Sequence, residues 1–145
     1  MYRSDRGRKP LSHPGHILLV EDNPGDVRLF EEVIAASDLE AILHVVSTEE
    51  DVGDFIDRRG DDTDAPAPDV VLLDWHLAEE TAGGVLSALR QTYPAVPVLV
   101  ISGANAPGAV LGSGPDRADD RMTKPSDPDG YHDLLARCVE LVQRQ

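Results

Sequence analysis

The chain has 145 residues, 41% of them hydrophobic, a formal charge of −14 and one cysteine. That length suits one domain with a real core, and the lone Cys138 excludes an internal disulfide framework or a cysteine-rich metal site. Twenty-seven acidic against 13 basic residues argue against a nucleic-acid-binding body, and the longest apolar runs, four residues each, fall far short of the ~18 needed to span a membrane.

Residues 1–15 mix Arg3, Arg6, Arg8 and Lys9 with Gly, Ser and Pro and show no period; they read as a flexible, solvated basic tail. The remainder holds 9 basic and 26 acidic residues, a charge of −17, and only Lys9 and Lys124 of all the basic residues are lysines. A lysine-poor acidic surface is a halophile's means of staying soluble in concentrated salt, the alternative being codon bias toward Arg and Asp. A thermal melt separates the two. The Debye length falls from ~10 Å at ~0.1 M salt to ~3 Å at ~1 M, so between dilute buffer and molar KCl self-repulsion is screened and the midpoint is expected to rise clearly. A flat or falling midpoint points to codon bias.

From residue 16 an alternation begins. His16–Val20 reads as a buried strand ending at Glu21-Asp22, and Pro24 opens a helix carrying Val27, Phe30, Val33 and Ile34. Ala41–Ser47 reads as a second strand, and Thr48 with Asp51 as the cap of a second helix through Val52, Phe55 and Ile56. The acidic, Pro-containing stretch from Gly60 to Asp69 reads as a surface loop. Val70–Leu73 is a third strand ending at Asp74, with a helix after Gly83-Gly84 bearing Val85, Leu86 and Leu89. Val98–Ile101 is a fourth strand, Arg121–Thr123 a short fifth. The last helix runs from about Asp129 to Gln143 with Leu134, Leu135, Cys138, Leu141 and Val142 on one face. Five strands alternating with helices predict an α/β fold, a doubly wound parallel sheet covered on both faces.

In such a sheet the carboxyl ends of the strands line the ligand crevice. Glu21, Asp22, Asp74, Ser102 and Lys124 then share one edge. Three carboxylates in one crevice repel one another unless a cation sits among them, and a hard cation such as Mg2+ suits oxygen donors. An aspartate beside it can take a phosphoryl group, with a lysine and a hydroxyl to meet the phosphoryl oxygens.

The blocks ILLVEDN (17–23), DVVLLDW (69–75), PVLVISG (97–103) and MTKP (122–125), in that order, resemble a response-regulator receiver domain over residues 16–143. The resemblance implies a flavodoxin-like five-stranded sheet of order 2-1-3-4-5. It implies Asp74 as phosphoacceptor, Asp22 as a direct Mg2+ ligand, Glu21 acting through water, and the backbone carbonyl of His76 completing the protein ligands. Ser102 matches the switch hydroxyl and Lys124 the family's lysine, followed by Pro125, whose preceding bond is cis in the family. EDNPGDVRLFEEVI (21–34) is similar to single-domain receivers partnered with phytochrome-type and similar sensor histidine kinases. Trp75, beside the site, reads as a packing or lid residue.

Some positions depart from the family pattern. Ala78 stands where receivers usually carry proline, Ala82-Gly83 where Asp-Gly or Ser-Gly is usual, and Arg121 where a switch aromatic is expected. Arg121 is therefore expected at the surface, held by Asp119, Asp120 or a partner's carboxylate. Residues Gly103–Pro115 hold four Gly and two Pro, which disfavours a long helix and makes this stretch the expected mobile element.

The expectation is a cytoplasmic stand-alone receiver that accepts a phosphoryl group from a sensor histidine kinase onto Asp74. It would act on an unknown downstream protein by contact, with no nucleic-acid or membrane partner, no turnover of an outside substrate and no output domain after residue 145. The alternative is a phosphorylation-independent binding scaffold. An aspartyl phosphatase is a weaker third reading, because the place for its second aspartate holds His76.

Overall fold

The computed structural model describes residues 15–61, 67–75, 82–102 and 118–143. Its centre is made of three strands, β1 (Gly15–Val20), β3 (Val70–Asp74) and β4 (Val98–Ser102), buried along almost their whole length. This is what continuous apolar runs without alternation require of a parallel sheet. The edges are β2 (Ala41–Val46), which leaves Ile42 and Val45 exposed, and β5 (Asp120–Thr123), where half-buried and exposed residues alternate. All five strands run parallel in the order β2-β1-β3-β4-β5, the flavodoxin-like doubly wound arrangement.

The two-residue period of a strand splits each apolar run between two layers. Ile17, Leu19, Val70, Leu72, Leu99 and Ile101 face α1 (Pro24–Ala36) and α4 (Pro128–Gln143); Leu18, Val20, Val71, Leu73, Val98 and Val100 face α2 (Glu49–Asp61) and α3 (Ala82–Thr92). On α4 the expected face is buried, and Tyr131 extends it toward the helix start. Among the described residues no helix is long and apolar enough to cross a membrane.

Local chemistry sets the helix starts. Asn23 caps α1, its side-chain oxygen accepting from Gly25 N at 2.8 Å and Asp26 N at 3.2 Å, with Pro24 at the first position, where no N–H is needed. Thr48 Oγ1 accepts from Asp51 N at 3.0 Å, and the Asp51 carboxylate accepts from Ser47 N at 3.3 Å, so Asp replaces Glu in a near-reciprocal cap.

Two stretches differ from the sequence reading. α2 runs on through Gly60 and Asp61, because a polar helix end resembles a loop in composition. Asp69 is not loose either: its N–H donates to His16 O at 2.7 Å and its carboxylate accepts from His16 N at 2.8 Å, which sets the entry to β3. Residues 62–66 between them, and the basic stretch 1–14, lie outside the described residues. α3 takes Gly83-Gly84 into its first turn instead of following them.

Arg121 is exposed, but Asp119 and Asp120 are engaged elsewhere. Asp119 Oδ2 accepts from Arg90 of α3 at 2.5 Å and from Val98 N at 2.7 Å; Asp120 pairs with Arg137 of α4. Successive strand residues point to opposite faces, so Asp120 meets the α4 layer and Arg121 does not. Only the backbone N of Arg121 reaches Asp120, at 2.8 Å. Ala78 and residues 103–115 lie outside the described residues.

Candidate metal centre

The strand order reverses between β1 and β3, and the crevice beyond their carboxyl ends is the expected ligand position in such a sheet. The chain supplies oxygens there from both sides. Glu21 follows β1 directly, its N–H donating to Val46 O at 3.0 Å, and its carboxylate is buried while accepting from Asn23 N at 3.2 Å. Asp22 stands more open to solvent. Asp74 is the last residue of β3, buried, with Ile101 of β4 as its register partner. Glu21, Asp22 and Asp74 each offer a carboxylate oxygen, and the three lie within 4.8 Å of one another.

Ser102, one residue past Ile101, ends β4 and is buried. Its carbonyl accepts from Lys124 N at 2.7 Å, so the β4–β5 ladder continues into the loop that carries the lysine. The Lys124 ammonium lies 2.7 Å from Asp26 Oδ2, 3.1 Å from Glu21 Oε1 and 3.4 Å from Asp74 Oδ2. The structure thus brings Glu21, Asp22, Asp74 and Lys124 together and sets Ser102 at the neighbouring strand end; His76 lies outside the described residues.

Buried carboxylates without a cation take up protons. Burial, then the facing Asp74, push the Glu21 carboxyl up to about 7, against the opposing pull of Lys124. Burial alone would lower the Lys124 pKa, but its hydrogen bonds to Asp26 and Glu21 outweigh it and hold the ammonium charged. Three hard oxygen donors from two adjacent strand ends, two of them buried, fit a small divalent cation that keeps several of its waters. Such an ion favours the ionised Glu21 that burial disfavours.

The sequence reading had no role for three residues here. Asp26 makes the shortest contact to Lys124, yet an acid in a helix first turn is explained locally by the helix dipole, which hid it. Tyr131, tilted against Phe30 at 6.3 Å between ring centres, has no well-formed hydrogen bond to its hydroxyl among the described residues. Burial and the charge of Asp26 push that hydroxyl up to about 12. Gly130, in the first turn of α4, lies so close to Pro125 that a Cβ there would come within 2.6 Å of the proline Cβ. Trp75 packs half-buried against the α2–α3 layer, its backbone N–H donating to Ile101 O at 2.9 Å.

The chain belongs to the response regulator receiver domain family, which it matches over residues 17–136, and is thus a module of two-component signalling. It is 29% identical over 102 residues to the response regulator Rcp1 of a Synechocystis species, an alignment covering 69% of each protein. Its fold superposes on the phosphorylated cyanobacterial phytochrome response regulator RcpA with a TM-score of 0.71 at 25% identity, over 86% of this chain and 89% of that one. The Mn2+-bound form of Rcp1 superposes with a TM-score of 0.65 at 26% identity, over 90% and 91%.

Proposed function

We propose that this chain is a cytoplasmic response-regulator receiver that accepts a phosphoryl group onto Asp74 from a sensor histidine kinase of the phytochrome type, in a reaction that needs Mg2+, and acts on a downstream protein by contact. The observation that carries the reading is the buried Asp74 carboxylate, within 4.8 Å of two further acids and met by the Lys124 ammonium at 3.4 Å. The likeness to a phytochrome response regulator supports the kinase class, and the Mn2+-bound relative supports a divalent cation.

In this reading an Asp74 oxygen attacks the phosphorus of the donor's phosphohistidine. An O–P bond forms, the P–N bond breaks, and the departing imidazole nitrogen takes a proton. Lys124 and the Ser102 hydroxyl face the transferred oxygens and meet the charge spread over them. Asp22, Asp74 and Glu21 would hold the Mg2+, the resemblance adding the His76 carbonyl and a water between Glu21 and the ion; when bound, the ion would supply further neutralisation of phosphoryl charge.

The test is intact-mass measurement after incubation with Mg2+ and a small-molecule phosphodonor, followed by peptide mapping. One phosphoryl adduct is expected, on Asp74, and none in the presence of a chelator. A protein that stays unmodified at saturating Mg2+ and donor is a scaffold that has kept the fold and lost the chemistry.

A further inference from the structure

The ammonium of Lys124 lies nearest to an acid outside the strand-end set. Asp26 receives it at 2.7 Å, against 3.1 Å for Glu21 and 3.4 Å for Asp74. The position of Asp26 is set by the α1 cap, since its backbone N–H donates to Asn23 Oδ1 at 3.2 Å. Its side chain is only 24% exposed, so the pair is partly shielded from the screening that makes surface pairs weak.

The location of this charge matters to its neighbours. An ammonium seated between Glu21 and Asp74 would neutralise them and, being positive, oppose a divalent cation on the same oxygens. Here the ammonium is shared: besides Asp26 it meets both Glu21 oxygens, at 3.1 and 3.3 Å, and Asp74 Oδ2 at 3.4 Å, so Asp26 takes part of the charge that would otherwise fall wholly on those two acids. From this geometry we infer that Asp26 is a positioning residue: its carboxylate makes the shortest contact to the Lys124 ammonium and competes with Glu21 and Asp74 for it, so that lysine and divalent cation occupy the site together. This role rests on the metal reading of the cluster.

The experiment is calorimetric titration of the full chain with Mg2+ alone, in four proteins forming a double-mutant cycle: wild type, Asp26→Asn, Lys124→Met and the combination. In the wild-type background Asp26→Asn is expected to weaken Mg2+ binding about tenfold, the size of one coupled charge pair, because the ammonium, no longer shared with Asp26, settles more closely on Glu21 and Asp74. Asp26→Glu restores most of the affinity. With Met at position 124, Asp26→Asn is expected to change the affinity less than about twofold. An equal loss in both backgrounds means that Asp26 acts only through its own field, and overturns the inference; so does unchanged affinity in Asp26→Asn alone. Phosphodonor labelling adds a second readout: Asp26→Asn slows labelling at low Mg2+ and recovers at saturating Mg2+. If Mg2+ binding follows the cycle but wild type takes no phosphoryl group, the phosphoacceptor reading fails and the positioning role stands.

Discussion

Replacing Asp74 by asparagine is expected to abolish the phosphoryl adduct completely while making the metal-free protein more stable. The amide keeps the shape of the carboxylate but cannot act as the nucleophile, so no phosphodonor concentration rescues labelling. At the same time one of the buried negative charges disappears. Glu21, held up partly by the facing Asp74, ionises more easily, and the repulsion stored at the strand ends is relieved by about 1 kcal/mol. Intact mass and a thermal melt in chelator, run on the same preparation, read both effects. A higher melting midpoint with no adduct is the signature of a site maintained against the stability of the fold. An adduct that persists in Asp74→Asn moves the acceptor to another residue.

Lys124→Met is expected to act in the opposite sense, with a pH dependence that follows from Glu21. In the folded, metal-free protein Glu21 titrates at about 7 against an ordinary 4.5, so the folded state binds more protons than the unfolded one between those values. Stability therefore falls as pH rises from 4.5 through 7, and Mg2+ opposes the fall by binding the ionised form. Lys124 is among the groups that hold the Glu21 pKa down, and removing it carries the decline to higher pH. The cost, discounted because the lysine side chain is 25% exposed, is about 2 kcal/mol at pH 8 and clearly less at pH 6. Urea unfolding at the two pH values, with chelator and then with Mg2+, measures it. An equal cost at both pH values would show that the methionine merely packs badly.

The layered fold was legible because strands buried on both faces need continuous apolar runs, and ILLV, VVLL and VLVI stand out against a charged background. The strand-end acids could be placed on one edge for the same reason, since they close such runs and topology gathers the ends; Lys124 follows a short polar strand and is placed by the alternation of elements and the MTKP block. What escaped had either a sufficient local explanation or none. Asp26 passes for a helix-dipole acid, and Gly60-Asp61 at the end of α2 for a loop. The pairs that take Asp119 and Asp120 join residues 29 and 17 positions apart, on helices of opposite layers, and no periodicity connects them. Gly130 shows why a glycine in a helix resists interpretation: its reason lies in Pro125, five residues earlier in the chain.

That contact has a mechanical consequence. With no space for even a methyl group between Pro125 and the first turn of α4, the lysine loop and the helix have no slack between them. A pull on Lys124 is not absorbed by side-chain adjustment at this joint. It is expected to pass into the first turn of a 16-residue helix, roughly 24 Å long at the rise of an α-helix. Loop and helix are then joined as handle and lever, and Gly130→Ala, which forces the two apart, is expected to shift Lys124 as well as the helix.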